Sequence, residues 1–413
     1  MLDNTGTRQL AYVVIIDEIR PIPGRDRVEC AVVGGWTIMV RKGQFKPGDP
    51  GIYFEIDSKV PEKEPFEFLA PKHYKIKTQK YKTPDGQFWS QGLLMSAEDF
   101  GWLKGEKAEL NSVSHIGIWD SDANFYASDD ESRFLTTTLG VTYAEASDNQ
   151  RKASSVDKYK KMAQRHGKLF SYKPFRYLMK KEWGKKLLFF FFGKAKDKKS
   201  SWPVWVQKTD EERVQNMPWI LKDKEPWIVT EKIDGTSTTF TIKRKPFGKY
   251  NFFVCSRNVC FDKPNKNCFY ETNVYTEMAE KYNMEEVLSK LLDAYPDAEW
   301  ITIQGETYGS GIQKRDYHKD CHSFRAFNLI MSNTGRWNTI SMKQELEENF
   351  KIPCVPIVDS SFVLPDTMDE ILAYAFGESV IDGDIREGVV LRSLDGQKSF
   401  KVVSNVYLEK YHG

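Results

Sequence analysis

Apolar and polar residues alternate in short runs through the amino-terminal stretch, and glycine and proline break the runs at close intervals. AYVVIIDEI (Ala11 to Ile19) is followed by the turn residues PIPGRD. VECAVVGGWTIMVRK, a KPGDP turn at Lys46 to Pro50, and GIYFEIDSKV come next. Period-two patterning with such punctuation reads as short strands, and short strands in series read as a small barrel or sandwich. YKIKTQKYKTPDGQFWSQGLLM supplies a further strand pair, with PDG as its turn. No internal repeat accompanies the pattern.

The pattern changes further along. SSVDKYKKMAQRHGKLF and PFRYLMKKEWGKKLLFFFF space their apolar residues as helices do, and KAKDKKSSWP reads as an exposed linker. From Arg151 to Lys199 there are 17 Lys or Arg against Asp157, Glu182 and Asp197, a net +14 in a chain whose total is +2. A basic block in an otherwise acidic chain points to a polyanion or to a solvated helix face. After Trp202 strands and helices mix. WIVTEKIDGTSTTFTIKR reads as strand, tight turn, strand. NVYTEMAEKYNMEEVLSKLLDAY and MDEILAYAF read as helices, and WITIQGETYG, SFRAFNLIM and EGVVLRS as strands. The expected fold is α+β, with three parts: a β-barrel-like module over 1–147, a basic, partly helical linker over 148–201, and a domain of antiparallel sheets over 202–413.

With 413 residues and 40% hydrophobic content, the chain can bury more than one core. It has no run of about 18 apolar residues, so no membrane span is expected, and its start does not have the form of a secretory signal. Six cysteines without a C-x-x-C pair fit reduced thiols and a cytoplasmic setting. Cys255, Cys260 and Cys268, with His318, Cys321 and His322, match no common zinc spacing.

The chemistry-bearing residues gather in the last region. Lys232 ends the apolar run WIVTE. Arg257 follows FFVCS, Glu306 lies in ITIQGETYG, Phe324 and Phe327 flank Arg325, Glu387 opens EGVVLR, and Lys401 sits in SFKVV. A lysine nucleophile must be neutral when it attacks. Glu231 and Asp234, its neighbours in sequence, would oppose that, whereas a metal ion or a cation such as Lys401 would favour it. Arginine and lysine suit phosphate oxygens, and aromatic faces suit a nucleobase.

Taken in order, EKIDG, CSRN, IQGETYGSGIQ, FRAFNL, REGVVLR and SFKVV resemble the motifs of the covalent nucleotidyltransferases, which include ATP-dependent polynucleotide ligases and messenger-RNA capping enzymes. KTDEERVQN (Lys208 to Asn216) resembles the RNA ligase branch. IRPIPGRDRVECAVVGGWTIMV, KGQFKPGDPGIYFEIDS, FEFLA, YKIKTQKY, SQGLLM and TTTLGVTYAEA resemble the OB-fold domain that some RNA ligases carry ahead of the catalytic domain. Little sequence follows SFKVV, and an OB-like region at the front is expected of an RNA ligase rather than a DNA ligase or capping enzyme.

The resemblance implies an ATP-dependent RNA ligase that works through a lysyl-AMP and an adenylylated 5′ end, with Mg2+ or Mn2+, in RNA repair. RNA is the implied partner, free or as a nicked duplex with DNA, and a monomer is expected. The alternatives are a DNA ligase, a capping-type guanylyltransferase, and an inactive RNA-binding relative. By the same resemblance Lys232 is the nucleophile, with Asp234 and Lys401 as further catalytic residues. Lys401 contacts the α-phosphate, Glu231 lies by the adenine, Arg257 meets phosphate oxygens, Glu306 binds the ribose, and Phe327, or less favourably Phe324, stacks on the base. Arg213 is assigned to RNA or phosphate, and Glu387 to the metal. One departure stands out: relatives often end in K-x-K, whereas Lys401 is followed by Val402 and Val403.

Overall fold

The alternating amino-terminal stretch folds as short antiparallel strands. Ala11–Ile15 and Leu93–Met95 both pair with Pro50–Phe54. Glu18–Pro21, Val28–Val33 and Trp36–Arg41 form a meander, and Gln79–Thr83 pairs with Gly86–Ser90 across the expected PDG turn. Tyr12, Val14, Trp36, Ile38, Tyr53 and Leu94, the inward members of these strands, form one buried cluster. The hairpin turn at Gly34 and Gly35 touches a distant segment: Gly35 N–H donates to the Gln215 carbonyl at 2.7 Å. A Cβ on Gly35 would lie 2.6 Å from Gln215 Cα, so only glycine fits.

The computed structural model describes residues 1–3, 6–84, 86–100, 118–119, 125–126, 133–143, 172–179, 181, 188, 202–257, 259–261, 274–318 and 320–412. Within the basic Arg151–Lys199 stretch it describes one helix, Lys173–Met179, and residues 172, 181 and 188; the rest of that expected helical linker lies outside the described residues. Among the described residues no helix is long and apolar enough to cross a membrane.

The fold is α+β, and the chain forms two units. The first comprises Met1–Glu145, Asp210–Asp234 and Val355–Gly413, and the second Ala146–Thr209 and Gly235–Cys354. In the first unit a four-stranded antiparallel sheet runs in the order Ile357–Phe362, Trp227–Lys232, Gly388–Ser393, Ser399–Val403. Trp227, Val229, Val389, Leu391, Phe400 and Val402 pack with Ile371 and Ala375 of the helix Met368–Ala375. That helix starts at a capping box in which Thr367 and Glu370 bond each other's backbone. The chain leaves this sheet after Lys232 and rejoins it at Ile357, and the two places are neighbours: Glu231 N–H donates to the Pro356 carbonyl at 2.9 Å.

In the second unit a six-stranded antiparallel sheet runs in the order Cys260–Phe261, Tyr250–Cys255, Thr236–Arg244, Trp300–Tyr308, Ser323–Met331, Gly335–Arg336. Phe240, Ile242, Ile301, Ile303, Phe324 and Leu329 face the helices Val274–Lys281 and Met284–Ala294 and form its core. The opposite face is polar. Thr241 and Thr302 are bonded hydroxyl to hydroxyl at 2.7 Å, and Asn328 Nδ2 donates to Gln304 Oε1 at 2.9 Å. Residues 202–209 lie along that face, with Trp205 Nε1 donating to Thr241 Oγ1 and Gln304 Nε2 to the Gln207 carbonyl.

The strand, turn, strand reading of WIVTEKIDGTSTTFTIKR needs one correction. Both strands exist, but they do not form a hairpin: Trp227–Lys232 belongs to the four-stranded sheet and Thr236–Arg244 to the six-stranded one. Each finds a full set of partners elsewhere, which periodicity within the segment cannot reveal.

Candidate active site

Lys232 is the last residue of its strand and lies opposite Gly388 in register. Its Nζ donates to Glu387 Oε2 at 2.7 Å, with both side chains partly exposed. Glycine is required at 388, because a Cβ there would lie 2.1 Å from the Val402 carbonyl oxygen. The register also puts Thr230, Val390 and Lys401 in one cross-strand row. Strand alternation therefore places Lys232 and Lys401 on one face of the sheet and Glu231 on the other.

Glu231 and Asp234, the carboxylates that flank Lys232 in sequence, are held elsewhere. Glu231 is buried and accepts from Ser379 Oγ at 2.5 Å and from the Val380 N–H at 2.8 Å. Asp234 is buried and accepts from the Tyr407 hydroxyl at 2.8 Å. Glu387, distant in sequence, is adjacent to Lys232 in space.

Lys401 is nearly enclosed, and its Nζ donates to Asp210 Oδ1 at 2.8 Å. Burial first, then the Arg8 guanidinium, push its pKa down to about 7 against the pull of Asp210; Arg213 and Lys232 act in the same direction as Arg8. The residue two places on, Val403, is packed with Tyr12, Trp36 and Tyr53 in the β-module core. A second lysine at that position would be buried in an apolar cluster, which accounts for the departure from K-x-K.

The segment Asp210–Asn216 frames Lys401, and its charges pair in turn. Asp210 meets Lys401, Glu211 accepts from Arg392 at 3.2 Å and from Ser399 Oγ at 2.5 Å, and Arg213 Nη2 donates to Asp57 at 3.1 Å. Its backbone joins in, because Lys401 N–H donates to the Glu212 carbonyl at 2.7 Å. Behind it Glu55, fully buried, accepts from Arg8 Nε at 2.9 Å, the Tyr12 hydroxyl at 3.0 Å and Asn216 Nδ2 at 3.2 Å. Burial alone would raise its pKa, but Arg8, the terminal ammonium and Arg213 outweigh burial and hold it well below the usual carboxylate range. Arg8, Glu55, Asp57 and Asp210 were not legible as site residues. The one signal was the charge density of DEER within KTDEERVQN, Lys208 to Asn216.

The remaining expected residues lie in the second unit. Glu306 is opposite Ser237 and Arg325 in register, on the polar face of the six-stranded sheet. Arg257 occupies the turn between Tyr250–Cys255 and Cys260–Phe261, which is closed by Ser256 N–H to the Val259 carbonyl at 2.8 Å. The two phenylalanines separate cleanly. Phe324 is fully buried, 5.2 Å edge-on to Phe240. Phe327 is the extra residue of a β-bulge: Gln304 pairs with Asn328 and Gly305 with Ala326, leaving 327 between. Bulges re-aim side chains, and Phe327 stays half-exposed while 324, 326, 329 and 331 keep to the core.

No group of three or more metal-binding side chains gathers among the described residues. A divalent ion at Glu387 would thus take its other ligands from phosphate and water. That suits Mg2+, which is commonly held by one or two carboxylates with substrate phosphates. The donor set fits the expected ion.

Comparison with known proteins adds three results. A model of the RNA ligase family matches residues 225–403, and a model described as the PHA02142 OB-fold domain matches residues 10–96. Solved structures of an RNA ligase from Naegleria gruberi are similar over nearly the whole chain. The form with pyrophosphate is 27% identical with a TM-score of 0.67, covering 98% of this chain and 99% of that one. A variant with ATP and manganese is 27% identical with a TM-score of 0.66, covering 99% of each chain. Another variant, with AMP and manganese, is 27% identical at 0.66, covering 98% and 99%. No curated protein sequence matched.

Proposed function

We propose that the chain is a member of the RNA ligase family with an OB-fold region in its amino-terminal part, and that its residues divide the work as follows. It is an ATP-dependent RNA ligase that uses a divalent metal ion. The observation that carries the residue assignment is Lys232, at a strand end within the matched region, beside Glu387 and on the same sheet face as Lys401.

Lys232 Nζ, once deprotonated, attacks the α-phosphorus of ATP. The N–P bond forms, the bond to pyrophosphate breaks, and Lys232 carries AMP. The AMP then passes to an RNA 5′-phosphate, and a 3′-hydroxyl displaces it to close the phosphodiester. Glu387 holds the Lys232 nitrogen in place and offers an oxygen to the metal, which when bound neutralises phosphate charge. Lys401 stabilises charge on the α-phosphate oxygens. Asp234 orients the turn after Lys232 through Tyr407, and Glu231 borders the adenine through its backbone. Phe327 stacks on the base, Glu306 binds the ribose, Arg257 meets phosphate oxygens, and Arg213 meets RNA or phosphate.

We assign 1–147 to nucleic-acid binding, 148–201 to a basic linker and 202–413 to nucleotidyl transfer, supported by the two matched ranges. The +14 block would follow an RNA backbone, and deleting it should weaken RNA binding and flatten its salt dependence. RNA repair, at free ends or nicked duplexes, by a cytoplasmic monomer, completes the proposal. The thiols of Cys30, Cys255, Cys321 and Cys354, none in a disulfide, support a reducing compartment.

The decisive experiment incubates the protein with α-labelled ATP and Mg2+ or Mn2+, followed by denaturing electrophoresis. A covalent label is expected, absent in Lys232→Ala, and an unlabelled wild-type protein would sink the reading. Labelling from GTP would point to capping instead, and sealing of all-DNA nicks alone to a DNA ligase. Paired RNA substrates with and without a template strand settle which ends are joined.

A further inference from the structure

Lys401 is bonded to Asp210, yet in the function proposed above it must turn to a phosphate oxygen. Releasing a buried carboxylate from its cation is costly unless a second cation takes over. The structure supplies one from the OB-fold region. Asp210 Oδ1, the oxygen 2.8 Å from Lys401 Nζ, is also 3.5 Å from Arg8 Nη1. Nothing in the sequence around Arg8 marks it.

We propose that Arg8 is a positioning residue for Lys401, acting through Asp210: it keeps the carboxylate paired when the lysine moves to phosphate. Three features of the geometry carry this. First, Arg8 is fixed in place. Its side chain is 4% exposed and its Nε is tied to Glu55 at 2.9 Å, itself bonded to Tyr12 and Asn216. Second, it has donor capacity in reserve. Nη1 lies outside hydrogen-bond range of Asp210 but needs to move only a few tenths of an ångström to enter it, and the buried Nη2 has no hydrogen-bond partner. Third, the carboxylate stays within reach of both cations, because Lys401 N–H donates to the Glu212 carbonyl and Arg213 bridges Lys401 in parallel register. The depressed protonation of Lys401, to which Arg8 contributes, agrees with this geometry. Arg8 would thus make the OB-fold region part of the nucleotidyl-transfer machinery, in addition to any contact with RNA.

The inference rests on the proposed function, and its test separates the two. Single-turnover formation of the covalent adenylate from labelled ATP is measured with the full-length protein and its variants. Arg8→Gln should slow the step at saturating ATP by about tenfold or more, with the half-saturating ATP concentration shifted by no more than about twofold, the pattern of misplacement rather than lost binding. Arg8→Lys should recover part of the rate. The diagnostic is suppression: adding Asp210→Asn to Arg8→Gln frees Lys401 from its anchor and should restore most of the rate. A merely structural role for Arg8 predicts further loss in that double variant. If Arg8→Gln does not fold, Arg8→Lys decides, with a severalfold slower step that Asp210→Asn relieves. Wild-type rates in Arg8→Gln, or a loss that Asp210→Asn fails to relieve, overturn the inference alone. A wild-type protein that forms no Lys232-dependent adenylate overturns the function and the inference together.

Discussion

Asp210 Oδ1 is 2.8 Å from Lys401 Nζ and Glu387 Oε2 is 2.7 Å from Lys232 Nζ, the two lysines of the proposed chemistry. Burial, then Arg8, bring the Lys401 pKa down to about 7. The pH profile of kcat/KM for adenylylation, which reports groups of the free enzyme, should fall on its alkaline side near this value. Lys401→Arg, which stays charged, should remove that limb even if it lowers the rate, and an unchanged limb in this variant would exclude Lys401 as its source. Glu55 behaves oppositely. Its folded pKa lies below its unfolded one, so its stabilisation is complete above about pH 4.3 and is lost as pH falls further. Glu55→Gln leaves Arg8 buried without its carboxylate and should cost about 3–5 kcal/mol at neutral pH. Denaturant unfolding should show the gap between the two proteins closing through the acid range. At this scale the sequence was a partial guide. Lys232 and Glu387 stood out as members of an ordered set of motifs, each of them weak alone. The bonds of Glu231 to Ser379 and of Asp234 to Tyr407 were not legible, because those partners are far away in sequence.

Among the elements, the Ser323–Met331 strand shows how one inserted residue divides structure from function. Its apolar positions step by two, then by three across the bulge, then by two again, so FRAFNL carries a core phenylalanine and a re-aimed one three places apart. Phe324→Ala should lose about 3–5 kcal/mol of stability, the usual range for a buried phenylalanine. Phe327→Ala should leave the thermal midpoint nearly unchanged while raising the ATP concentration needed for half-maximal adenylylation. Equal stability losses would refute the division. The spacing was visible in the sequence, but the bulge was not, since a step of three also fits a helix. The same ambiguity hid the partners of WIVTEK and TSTTFTIKR, which pairing with distant strands decides. The short strands of the amino-terminal module were legible because alternation and turn residues agreed at every step.

For the whole molecule, the order of the motifs along the chain was informative where each motif was not, and it carried the family assignment before any fold was known. One boundary between the units falls between Asp234 and Gly235, inside a stretch that reads as continuous β structure. No change of composition marks it, because strands lie close on both sides, Trp227–Lys232 before it and Thr236–Arg244 after it.

That boundary has a consequence for how the protein can be taken apart. The chain departs after Asp234 and returns at Val355, and the hydrogen bond from Glu231 to Pro356 makes exit and re-entry adjacent. Along the chain, residues 235–354, one part of the second unit, are therefore a cassette inserted between two segments of the first, its host, at a gap that a short glycine-serine bridge can span. With the cassette replaced by such a bridge, the host should fold by itself with a cooperative thermal transition. A non-cooperative melt would show that the graft point is not neutral. If it does fold, the same junction becomes a place to exchange one cassette for another while Lys232, Glu387 and Lys401 stay in the host.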